Sequence, residues 1–226
     1  MATIALTDPD RAAIAVAIAT AEAHADGEVV PVIAREADGY GDVALAWSAV
    51  VAGLALIAIS VAPGFYLGFA DRVLGLWAHH WATREILEFA LFVATVKFVG
   101  MWLILLWRPL RLWLTPGPVK ARRVRARAML AFTLAAKGRT RGATGVVIYL
   151  SLAERRAEIV ADDAIASRVD ASVWGDAMHA MLAEIRTGRI GAGMVSGINH
   201  AGAVLAEHFP RQDKGANELP DAVIEL

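Results

Sequence analysis

Three regimes of hydrophobic patterning follow one another along the chain. The first is periodic. After Asp8-Pro9, an N-cap and first-turn pair, Ile14, Ile18 and Ala21 recur at helical spacing until Asp26-Gly27. A β-rich run then covers Glu28–Arg35, where Pro31 predicts an edge position or a bulge. One helix and one strand cannot bury a core alone, so residues 1–42 need a partner segment.

The second regime is continuous. No Asp, Glu, Lys or Arg occurs from Val43 to Ala70, and Pro63-Gly64 divides that stretch. Val43–Ala62 and Ile86–Trp107 each reach the roughly 20 residues that cross a hydrocarbon core. Between them, Phe65–Ala82 sets Phe65, Phe69, Val73, Leu76 and Trp77 on one helical face, as in a helix lying along a membrane surface. Trp47, Trp77, Trp81, Trp107 and Trp113 fall near the ends of the spans, like an aromatic belt. The pattern predicts a transmembrane hairpin over residues 43–107. The competing reading is a buried helical hairpin in a soluble protein.

The third regime returns to short elements. Val119–Lys137 reads as a helix stopped at Gly138, Thr144–Leu152 as an apolar central strand, Ala153–Arg156 as a hairpin turn and Ala157–Ala161 as the returning strand. A short helix is expected over Asp162–Ser167. Ser172 should cap a helix striped with Trp174, Ala177, Met178, Met181 and Ile185 and closed by Gly188, and a last helix should run over Ala192–His208. The economical solution joins the strand at 29–35 to those at 144–152 and 157–161 in one sheet with helices on its faces. Residues 1–42 and 108–210 then form one split α/β domain, 43–107 an insertion, and 211–226 a flexible tail.

Composition sharpens this picture. The chain is 57% hydrophobic and 20% charged, with a mean hydropathy of +0.50. That argues against a disordered tail, a nucleic-acid-binding arm or a purely soluble enzyme. The absence of cysteine excludes disulfides, thiolate metal sites and cysteine nucleophiles. Charge is uneven: residues 1–42 hold eight acids and two bases, whereas 108–142 hold ten bases and no acid. The bases just after the second span place the C-terminal side in the cytoplasm, and two spans bring the N-terminus there too. No signal peptide is expected, because residues 1–42 are mostly polar. The basic stretch is read first as a stop-transfer flank and second as a contact for anionic lipid.

Candidate chemistry is sparse. Asp162 and Asp163 follow a strand, where carboxylates can gather around a divalent cation such as calcium or magnesium, with Asp170, Asp176 or Glu28 completing the set. The bland alternative is a helix-capping pair. Glu154, Arg155 and Arg156 form either a solubilising turn or a contact for a protein partner. Glu88 and Lys97 lie within the second span; Lys97, near its middle, either snorkels, faces a partner helix or an oligomer seam, or serves a relay. Gly188, Gly191, Gly193 and Gly197 suit an anion site or tight packing, without a GxGxxG or P-loop pattern. No His pair has HExxH spacing, and Ser151 lacks a GxSxG setting.

At these residues the chain resembles the TPM-domain membrane proteins of bacteria. The resemblance rests on AEAHADGEVVPVIAREADGY before the hairpin and TGVVIYLSLAERRAEIVADDAIASRV after it. The Trp174 helix, RTGRIGAGMVSGINHAGAVLAEHFP and NELPDAVIEL extend it over nearly the whole chain. It implies a split α/β sandwich domain with an inserted two-helix transmembrane hairpin, in the bacterial inner (cytoplasmic) membrane. Asp162 matches the family's conspicuous acid, and Glu154-Arg155-Arg156 is a further match. Other branches carry acid phosphatase activity, calcium binding, a part in photosystem II repair or a receptor-auxiliary role, so the resemblance transfers fold more firmly than function. The expected role is a scaffold or accessory factor for a membrane assembly, with the lipid bilayer, another membrane protein or a second copy as partner and no nucleic acid. The alternative is a metal-dependent phosphatase-like or cation-binding domain.

Overall fold

The computed structural model describes residues 6–75, 80–137, 144–170, 172–211 and 221–226. In chain order its elements are α1 (Asp8–His24), β1 (Glu28–Ala34), α2 (Gly41–Val61), α3 (Pro63–Leu74), α4 (Thr83–Ile104), α5 (Arg108–Leu114), α6 (Gly117–Ala135), β2 (Gly145–Ser151), β3 (Arg156–Ala161), α7 (Asp163–Ala166), α8 (Val173–Arg186), α9 (Ile190–His208) and β4 (Ile224–Glu225). Two compact units result. One joins residues 1–38 to 117–226; the other is 39–116.

The first unit is a mixed α/β fold around a sheet of order β3-β2-β1-β4. β1 and β2 run parallel from Glu28 opposite Gly145 to Ala34 opposite Ser151, and β3 returns antiparallel to β2. Strand alternation sorts the side chains. Val29, Ile33, Val146, Ile148 and Leu150 meet Ile14 and Ile18 of α1, Met181 of α8 and Ile198 and Leu205 of α9. Val30, Val32, Val147 and Tyr149 meet Val124, Ala128 and Phe132 of α6 on the opposite face. Every residue of β2 is buried, as expected of a strand covered on both faces.

Several expectations shift. The cap of α1 is Thr7, not Asp8: Thr7 Oγ1 accepts the Asp10 N–H, and Asp10 accepts the Thr7 N–H at 3.0 Å. This reciprocal box satisfies two amides at once. β1 is not an edge strand. Its Glu28 N–H donates to Thr144 O towards β2, while Ile33 O and the Arg35 N–H both engage Leu226. Odd positions therefore turn towards β4, and Pro31 is one of them. β4 pairs only with Val32 and Ile33, so the N–H that Pro31 lacks falls where no strand stands opposite. β4 also corrects the expected flexible tail, since Ile224–Glu225 join the sheet and Arg11 Nε holds Glu225 at 2.7 Å.

In the second unit α2 and α4 pack side by side. They span 21 and 22 residues and are long and apolar enough to cross a membrane. The second apolar helix stops at Ile104 rather than Trp107, and α5 belongs with this unit, which moves the boundary from 107 to 116. The helix expected over Phe65–Ala82 ends at Leu74, where Gly75 adopts a φ of +70°. Phe65, Phe69 and Val73 are exposed on it. Leu76, Trp77 and His79, like Gly138, lie outside the described residues. Trp81 Nε1 donates to Asp71 at 3.0 Å, and Trp47 Nε1 to Leu114 O at 3.3 Å.

Candidate functional site

The end of β3 carries the acidic pair. Asp162 is buried, 7% exposed, and precedes α7. Its N–H donates to Gly145 O at 2.9 Å, but its Oδ2 is buried with no hydrogen-bond partner. It makes no side-chain cap bond to α7, so the capping reading does not hold. Asp163 is exposed. Asp170 is exposed as well: its Oδ1 accepts the Ser172 N–H at 2.8 Å, which holds its carboxyl below the usual range and takes over the capping expected of Ser172. Among the described residues no group of three or more His, Asp or Glu could hold a metal ion. A hard cation takes six to eight oxygens. Asp162 supplies one buried oxygen without a hydrogen-bond partner, short of the set such a cation needs.

Glu154, expected in a solubilising turn or a partner contact, is turned inward. It is 8% exposed, and its carboxylate accepts the Ala37 N–H at 3.1 Å and the Ser151 hydroxyl. Arg127 Nε donates to Ala37 O at 2.8 Å, so α6, the exit of β1 and the β2–β3 turn meet at one polar knot. Burial, and then the Glu154 charge, push the Tyr149 hydroxyl above its ordinary value. Ser151 is fully buried, which makes it an anchor rather than a nucleophile. Arg155 is exposed and takes a φ of +52° in the turn. Arg156 is half-buried in β3; with Arg125 it counters the upward push that burial gives Glu158.

Glu88 and Lys97 of α4 are exposed side chains. Arg84 Nε donates to Glu88 at 2.7 Å one turn away, and Lys97 stands near the middle of the helix. The glycines of α9 serve close packing. A Cβ on Gly193 would lie 2.7 Å from Ile185, and one on Gly202 would lie 2.5 Å from Ala21. Gly191 abuts Asp10. His24 and His200 bond back to Thr20 O and Ser196 O, each at 2.8 Å.

Two features escaped the sequence reading. An open, shallow cavity of about 570 Å³ is lined by Asp10, Glu184, Ser196, Asn199 and His200. Asp10 is tied to Thr7 and Glu184 to Arg189, so its acids are already engaged. The second is a carboxyl pair. Glu22 accepts the Val29 N–H at 3.0 Å and hydrogen-bonds with Glu28. Burial pushes its carboxyl up to about 8, and the charges of Glu28 and Asp221 push the same way. A signal was present: Glu22 stands four residues after Ile18, on the inward stripe of α1. The identity of the residues it would meet was not readable.

Fold and site together define a mixed α/β domain interrupted by a pair of apolar helices. The TPM domain family model matches residues 120–204, from α6 into α9. The structure is similar to the NMR structure of the BA42 protein from the psychrophilic bacterium Bizionia argentinensis, with a TM-score of 0.55 and 18% identity. The match covers 97% of this chain and 94% of that one. At that identity the likeness speaks for the fold alone. No curated protein matches the chain.

Proposed function

We propose that the chain is a membrane-anchored TPM-like domain that acts as a scaffold or accessory factor for a membrane protein assembly. The observation that carries this reading is the hairpin: Leu54, Ile57, Val61, Leu91, Phe92 and Leu103 are exposed along α2 and α4. Unpartnered apolar surface on two helices of membrane-spanning length suits lipid as the surrounding solvent. In this reading the bases from Arg108 to Arg127 hold both termini in the cytoplasm, at the inner membrane of a bacterium. Glu88 and Arg84 sit at the outer interface, and Lys97 faces a partner helix or reaches for a headgroup. With Glu154 buried, Arg155 is the member of its triplet left to meet a partner.

Reporter fusions at the C-terminus and between residues 71 and 85 should land on opposite sides, and alkaline carbonate should leave the chain in the membrane. Release by carbonate overturns the anchor. Purification from membranes, followed by reciprocal capture, should retain one membrane protein in fixed ratio; a chain that emerges alone overturns the scaffold role.

The orphan Oδ2 of Asp162 supports a second reading, a cation-binding or metal-dependent phosphatase-like domain. Calorimetric titration with calcium and with magnesium tests it. Heat that vanishes in Asp162→Asn supports a site there, and absence of heat in the wild type removes the reading.

A further inference from the structure

One helix of the α/β unit has two finished faces. Inward, α6 buries Val124, Ala128, Ala131 and Phe132 against the sheet. Outward, it exposes Met129 (47%), Leu130 (47%) and Leu134 (67%); Leu130 and Leu134 lie one turn apart in a ridge, and Met129 flanks it. Bases frame that ridge. Arg122 lies two turns before it and Lys137 just after it; both are exposed, and neither forms an ion pair among the described residues. Arg125 is also exposed and reaches Glu158 only at 3.6 Å. The stretch from 108 to 142 contains no acid.

We infer that the outer face of α6 docks on an anionic lipid surface, with Met129, Leu130 and Leu134 entering the headgroup layer and Arg122, Arg125 and Lys137 meeting lipid phosphates. The inference deepens the anchored reading above and rests on it for its location, since only residues 105–116 separate the end of α4 from the start of α6. A convex ridge of aliphatic side chains edged by bases has the composition of interfacial helices. A second copy of the chain fits poorly, because pairing two such faces would set bases against bases without an acid on either helix. Each near-surface base strengthens attachment about fivefold.

The absence of native cysteine makes the test direct. Full-length Leu130→Cys carries a spin label and is reconstituted in nanodiscs of phosphatidylcholine, or of an equimolar mixture with phosphatidylglycerol. In the anionic discs the label should become accessible to oxygen and shielded from a water-soluble nickel chelate. High salt, or the surface pair Arg122→Glu and Lys137→Glu, should reverse the change. A label equally open to water in both lipids overturns the inference. So does shielding that ignores lipid charge and salt, which would mark a protein occupant, and so does spin–spin broadening, which would mark a second copy. A label at Lys97→Cys reports separately on the anchor. If it is never oxygen-accessible while position 130 still responds to anionic lipid, the spanning reading fails and the docking face stands.

Discussion

Replacing Glu154 by Ala separates a structural knot from a partner surface. The carboxylate accepts two buried donors, the Ala37 N–H and the Ser151 hydroxyl. Deleting it leaves both unsatisfied, at about 1–3 kcal/mol each, so a loss of about 3–4 kcal/mol is expected. Domain stability is roughly 5–15 kcal/mol, so this loss is a large share of the total. Glu154→Gln keeps one carbonyl acceptor and should cost about 1–2 kcal/mol. Ser151→Ala removes one of the stranded donors, so the two alanine changes together should cost at least about 1 kcal/mol less than their sum. Pulse proteolysis across a urea series, in one fixed detergent, reads the folded fraction of the α/β unit while the apolar helices stay solvated. A Glu154→Ala protein within about 0.5 kcal/mol of wild type refutes the reasoning. The residue would then be free for the partner contact its position in a charged turn first suggested.

Three further outcomes follow from the same structure. Burial raises the Glu22 carboxyl from its ordinary value near 4.5 to about 8, so between those values the folded state retains a proton that the unfolded chain releases. Stability should fall as pH rises from about 4.5 to about 8 and level off above. Glu22→Gln should flatten that slope and gain on wild type by about 2 kcal/mol at pH 8, after allowance for solvent screening; parallel slopes in urea titrations at several pH values would count against it. Gly202→Leu must displace Ala21 and should cost about 3 kcal/mol, whereas Gly175→Ala on α8, with open space around it, should gain about 0.5 kcal/mol. Thermal melts of the pair decide this, and a tolerated Gly202→Leu would mean that α1 and α9 do not approach as described. Deleting residues 221–226 removes the Leu226 bonds to Ile33 and Arg35 and the Arg11–Glu225 pair. It should cost about 2 kcal/mol, whereas a dispensable tail would cost nothing measurable.

What was readable beforehand was what is local. The periodic stripe of α1, the apolar strand that became β2, the turn after it and the two long apolar runs each carry their signal within a few residues of one another. The cap of α1 moved by one residue, to the reciprocal Thr7–Asp10 box, whereas the helix expected over Phe65–Ala82 stopped eight residues early, at Leu74. The acids of residues 1–42 and the bases of 108–142 meet where Asp38 contacts Arg123 on α6. The glycines of α9 showed that something came close without saying what.

The candidate site was less legible, because the fate of a charged residue depends on which distant segment covers it. Glu154 and Arg155 are neighbours in one charged turn, yet one is sealed under the exit of β1 and the other faces water. Asp162 and Asp163 divide in the same way at the end of β3. β4 is two residues long and has no pattern of its own; it exists because β1 offers it an edge. The order of residues alone thus determined which segments are helical, extended or apolar enough for lipid, since those properties follow from spacing along one stretch of chain. Which carboxylates lost their water, and which helix face was left bare, was decided only when segments more than a hundred residues apart came into contact.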